Sequence, residues 1–204
     1  MTTHEAAVPI SGDEASSRQS VRTWILVSFA LFVVEIGAWI GFVTVGGVFF
    51  TISDAVSLLL GASLIPVVLG LDSIFKEDEP RLARSAKWVG LAAMTLISVG
   101  SIVILTSEVS HEFVPAGGGL SMQIAGFALF GVWLLLVGIL SGRTETFGRR
   151  SEFAAKAVAA GFFLGSLGSP FGPDNVVTIL GGVIGLSAYV VWVFSTRADL
   201  AGAH

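Results

Sequence analysis

Of the 204 residues, 53% are hydrophobic and only 13% charged, and the mean hydropathy of +0.85 places the chain in the membrane class rather than among soluble domains. A formal net charge of −4 disfavours nucleic acid as a partner, and the absence of cysteine excludes disulfides, iron–sulfur clusters and thiol catalysis. His4 and His204 lie near the termini and His111 in a loop, so no pair on facing spans can hold a haem, and no cofactor is expected.

Residues 1–21 mix Ser, Thr, Glu and Asp with little apolar content and read as a disordered polar tail. From Thr23 to Val45 every position is apolar or small and polar except Glu35, which is the length and character of a membrane span. Gly46-Gly47 makes a tight turn into a second span over 49–71, which contains Pro66. The composition changes abruptly at Asp72, and 72–87 (DSIFKEDEPRLARSAK) reads as a charged aqueous loop with a short interfacial helix after Pro80. A third span covers 88–107 and a fourth 120–140, separated by EVSHEFVPAGGG, a loop with no Lys or Arg. The Arg-containing segment 141–152 leads into a short fifth span, 153–169, and the turn sequence GSPFGPDN into a sixth, 176–195. Residues 198–204 form a short C-terminal tail.

The expected fold is therefore all-α, a polytopic six-helix transmembrane bundle over 22–197. Under this assignment all 11 basic residues fall on one side of the membrane. Arg18 and Arg22 precede span one, and Lys76, Arg81, Arg84 and Lys87 lie between spans two and three. Arg143, Arg149, Arg150 and Lys156 lie between spans four and five or just inside span five, and Arg197 follows span six. The positive-inside rule then puts both termini in the cytoplasm, with the plasma membrane as the expected location.

Glu35 is the most informative residue. It lies about 18 Å along span one, near the middle of a hydrocarbon core about 30 Å thick. An ionised carboxylate there costs about 2.5–3.5 kcal/mol on insertion scales, so Glu35 must face protein or a water-filled cavity. Asp54, Ser57 and Gly61 form a narrow polar and small stripe on span two. Packed antiparallel, Glu35 and Asp54 would differ in depth by roughly 7–8 Å, two steps of a proton or cation path. Asp54 is equally suited to capping the start of its helix. Glu108, His111 and Glu112 have the spacing of one helical face and are weak candidates for a divalent metal, although a solvated loop explains them as well, so no metal site is assigned. Gly37 and Gly41 on span one, Gly161 and Gly165 on span five, and Gly181 and Gly185 on span six are four apart and mark close helix packing, within the chain or in a homo-oligomer or partner subunit. Gln123 reads as an interhelical hydrogen-bond donor.

No catalytic motif is present, and an enzyme is not expected. Two functions fit these features. One is a small transporter or channel for protons, cations or a small solute, with Glu35 as the buried titrating group and Asp54 and Ser57 on the path. The other is a structural, assembly or sensory membrane subunit. Beyond the lipid bilayer itself, no partner can be named.

Overall fold

In lipid a backbone can satisfy its polar groups only within itself, so apolar runs of this length become helices. The computed structural model describes residues 12–45, 48–110, 117–171 and 175–202, and among them every regular element is helical. The helices are α1 Gly12–Val45, α2 Val48–Phe75, α3 Pro80–Ser110, α4 Gly117–Thr144, α5 Arg149–Gly168 and α6 Val176–Gly202, with a 3₁₀ turn at Ser169–Phe171. Each packs antiparallel against the next, and α1 meets α6 to close the ring.

The helices overrun the apolar segments. α1 begins at Gly12, so part of the expected N-terminal tail is helical. Residues 1–11 lie outside the described residues. The charged segment expected as an aqueous loop is mostly helix: α2 runs to Phe75, and Pro80 occupies the first position of α3, where its missing N–H costs nothing. The turn is closed by Glu79 N–H to the Phe75 carbonyl at 3.0 Å and Ala83 N–H to the Glu79 carbonyl at 2.9 Å. The expected C-terminal tail likewise continues α6 as far as Gly202.

Five of the six helices, all but α5, are long and apolar enough to cross a membrane. α5 has 20 residues and carries Arg149, Arg150, Glu152 and Lys156 in its first two turns. Its buried positions are mostly Ala and Gly at helical spacing, which suits close approach to both neighbours. A Cβ on Gly161 would stand 2.2 Å from the Gly185 backbone nitrogen, and one on Gly181 would stand 2.2 Å from that of Gly165. α5 and α6 therefore meet backbone to backbone. Gly100 and Gly119 bring α3 and α4 together in the same way, each leaving room for the other's carbonyl oxygen. This is why α4 starts at Gly117, inside the segment expected as loop.

Gly37 receives no helix of its own chain, because a Cβ there meets nothing within 4 Å. Glu35 faces α2, and Gly37 lies about 200° further round the helix, so it turns outward with Val33 and Ile40. Gly41 instead accommodates the Phe49 ring of α2, 2.5 Å from where a Cβ would lie.

The basic end is held by ion pairs and one cap. Lys87 pairs with Asp72 at 3.0 Å, Arg143 with Glu79 at 3.5 Å, and Lys156 with Glu152 at 2.5 Å. Gly148, the N-cap of α5, has no capping side chain. The cap comes from α6: Asp199 Oδ2 accepts the Gly148 N–H at 3.0 Å and the Ser151 hydroxyl at 2.5 Å.

The glycine geometry predicts that Gly161→Ala destabilises the bundle by about 1–3 kcal/mol, the usual range for overpacking. Gly37→Ala, with open space around it, should cost nothing. Unfolding titrations in detergent micelles compare the two, and equal losses would contradict this packing.

Candidate functional site

The polar side chains of the membrane layer converge on one place. On α2, Ser53, Asp54 and Ser57 project inward from consecutive turns, and all three are buried. α1 presents Glu35 to them, and Glu35 Oε1 accepts a hydrogen bond from the Ser53 hydroxyl at 2.5 Å. The Ser57 hydroxyl also reaches this carboxyl, and the Asp54 carboxylate lies within electrostatic range of it. The depth offset expected between Glu35 and Asp54 is thus bridged by the long glutamate side chain. Glu35 Oε2, itself buried, has no hydrogen-bond partner among the described residues.

Asp54 extends the layer to the other half of the bundle. It is 3% exposed, and Gln123 of α4 donates through Nε2 to Asp54 Oδ1 at 2.8 Å. The second Nε2 hydrogen of Gln123 goes to Ser101 Oγ of α3, also at 2.8 Å. Ser101 can accept it because its own proton is given to the Ile97 carbonyl at 3.0 Å. Both amide hydrogens of Gln123 are thus used, one towards α2 and one towards α3. Six side chains from four helices, Glu35, Ser53, Asp54, Ser57, Ser101 and Gln123, make one polar layer. The amide donor role read for Gln123 is the one it has here. Asp54 lies well inside α2, which starts at Val48.

One turn further along each helix the lining turns apolar. Phe32, Leu60, Ile97 and Phe127 follow the polar residues and meet Phe130, Phe162 and Tyr189. The rings pack edge-on or tilted, with Phe32 and Tyr189 centroids 4.6 Å apart and Phe130 and Phe162 5.2 Å apart. The cavity left among them is about 10 Å³, roughly room for a single water at most. Tyr189 is anchored by a 3.0 Å hydrogen bond between its hydroxyl and that of Ser28 on α1. Towards the basic end Trp133 and Trp192 continue the plug, both fully buried.

The other candidates stand apart from this layer. Lys156 is engaged by Glu152 at the basic end and does not approach Glu35. Glu108 falls in the last turn of α3, while His111 and Glu112 lie outside the described residues. Among the described residues no three His, Cys, Asp or Glu side chains are grouped as metal ligands. Sequence reasoning missed Ser101 and the Ser28–Tyr189 bond. Serine in a span usually bonds its own helix, and only the neighbouring Gly100, which lets α4 close in, hints that Ser101 is at an interface.

The chain matches no family model, no curated protein and no solved structure. Its function is therefore argued from this layer alone.

Gln123→Leu should destabilise the protein by about 1–3 kcal/mol, since it strips a donor from a buried carboxylate. Adding Asp54→Leu should restore most of that loss, because two apolar partners leave nothing unsatisfied. Unfolding titrations of both variants decide the matter, and a double variant weaker than the single one would show that Asp54 is held by other groups.

Proposed function

We propose that this protein is a six-span plasma-membrane transporter of protons or small cations, with both termini cytoplasmic and with Glu35 as its ion-handling group. The observation that carries the reading is the pairing of two carboxylates on adjacent helices inside the membrane layer. Intramembrane acids are costly and mark ion pathways more often than they serve packing. Their surroundings are serine hydroxyls and no sulfur or imidazole, oxygen groups suited to a proton or a hard cation rather than to a soft metal. Asp54 and Ser57 complete the path beside Glu35, and no catalytic role is assigned to any of them.

The aromatic plug lies between this layer and the basic end, so an ion moves on only if the plug opens. The α1–α6 seam is the natural place for that. It is the slightest of the contacts between neighbouring helices around the ring, and it rests on the Ser28–Tyr189 hydrogen bond with Phe29 against Phe194 and Phe32 against Tyr189. Access would alternate as this seam parts and closes.

A second reading, a structural or assembly subunit without transport, is favoured by the completeness of the plug and by the outward Gly37 face of α1. Flux separates the two. Purified protein in liposomes under an imposed pH gradient should move protons or cations above the empty-liposome level. Glu35→Gln, close in shape to the acid, should keep the fold and abolish that flux. A structural Glu35 would leave flux indifferent to Gln, and Glu35→Leu would then only loosen the bundle by about 0.6 kcal/mol, the typical value for a hydrogen bond between membrane helices. Wild-type protein with no flux for any of several cations would remove the transport reading.

The orientation has its own test, made simple by the absence of native cysteine. Single cysteines at Ser110 and Gly172 should react with an impermeant thiol reagent on intact cells, and those at Ser85 and Thr146 should not. Labelling at Ser85 would reverse the topology.

A further inference from the structure

A second feature lies at the basic end, remote from the polar layer. A groove of about 340 Å³ runs along α6, lined by Arg150, Asp199, Ser195, Phe194, Val191 and Val190. Its volume falls within the range of small-molecule sites, about 300–1,000 Å³. Its polarity is graded along its length. Arg150 and Asp199 stand at the mouth, level with the start of α5, and the ten-residue run from Asp199 back to Val190 carries the groove roughly 13 Å into the apolar layer. Val190, Val191 and Phe194 are exposed along this run.

The two charges at the mouth are not paired with each other among the described residues. Asp199 is spent on the Gly148 N–H and the Ser151 hydroxyl and sits against the positive end of α5. The Ser195 hydroxyl is turned back to the Val191 carbonyl at 2.7 Å. Arg150 is exposed and makes no ion pair among the described residues. Arg150 is thus the group at the mouth left to meet an anion, above an apolar channel, while the Asp199 carboxylate stays turned to the start of α5; this is the complement of a molecule with a negative head and a hydrocarbon tail.

We propose that this groove binds an anionic phospholipid, its phosphate on Arg150 and one chain along Val190, Val191 and Phe194. The site is independent of the polar layer and of any transport.

The test is lipid retention by the purified full-length protein. Detergent micelles are doped with equimolar phosphatidylglycerol and phosphatidylcholine, and the lipids carried into the gas phase are counted by native mass spectrometry. Phosphatidylglycerol should be retained preferentially, and Arg150→Ala should lower that retention roughly fivefold, the worth of one basic residue at a lipid surface. Arg84→Ala, an exposed arginine at the same end on α3, should leave retention unchanged. Val191→Trp, which fills the groove without altering charge, should lower it. Equal retention of the two lipids, equal effects of the two arginine variants, or full retention by Val191→Trp would each overturn the proposal. Displacement of phosphatidylglycerol by soluble glycerol phosphate would overturn it too, since the headgroup alone would then suffice.

Discussion

A polar group in hydrocarbon has no water to turn to, so it must be satisfied by protein. This constraint fixes the arrangement of the first four helices. Glu35 finds Ser53 and Ser57, and Asp54 finds Gln123, which also holds Ser101. Each bond sets the rotation of one helix about its axis relative to another. Turning α1 so that Glu35 left α2 would carry a carboxylate into lipid. The polar layer therefore acts as a registration device whatever else it does.

Lipid offers little hydrophobic drive for helices to associate with one another, and packing must come from close approach or from shape. The two sides of the ring solve this differently. α5 and α6 meet through glycines with their backbones nearly in contact, so there is no side chain between them to rearrange. α1 and α6 meet through rings, with Phe29 edge-on to Phe194 at 5.2 Å and Phe32 against Tyr189. Rings held by side-chain rotamers can slide or flip where a glycine contact cannot. The stiff α5–α6 pair and the looser α1–α6 seam give the ring one side that stays and one that can yield.

Five of the helices were legible as apolar, membrane-length segments, because a run of about 20 apolar residues admits few other readings. Their ends were not. Hydropathy marks where the chain leaves hydrocarbon, whereas helix ends are set by capping and turn chemistry, as at Pro80 for the start of α3 and Gly148 for the start of α5. Glu35 and Asp54 stood out as charges in apolar surroundings, and Gln123 as an amide. Ser101 did not, because a serine's role depends on which neighbour approaches, and that approach is allowed by Gly100 and Gly119 from two different helices. The Asp199 cap reaches Gly148 across 51 positions of sequence, and nothing local announces it. The pair Gly37 and Gly41 says that a helix can approach, and within the chain only Gly41 receives a neighbour, the Phe49 ring.

The central claim is that the six polar side chains act as one unit rather than as separate pairs. The most direct measurement is a double-mutant cycle between Glu35 on α1 and Gln123 on α4, neither of which is described as bonding the other. Unfolding free energies are taken for Glu35→Leu, Gln123→Leu and the combination. A single unit predicts a coupling of about 0.5–3 kcal/mol, the range for residues that share a network. Additivity to within about 0.3–0.5 kcal/mol, as found for independent sites, would contradict the account.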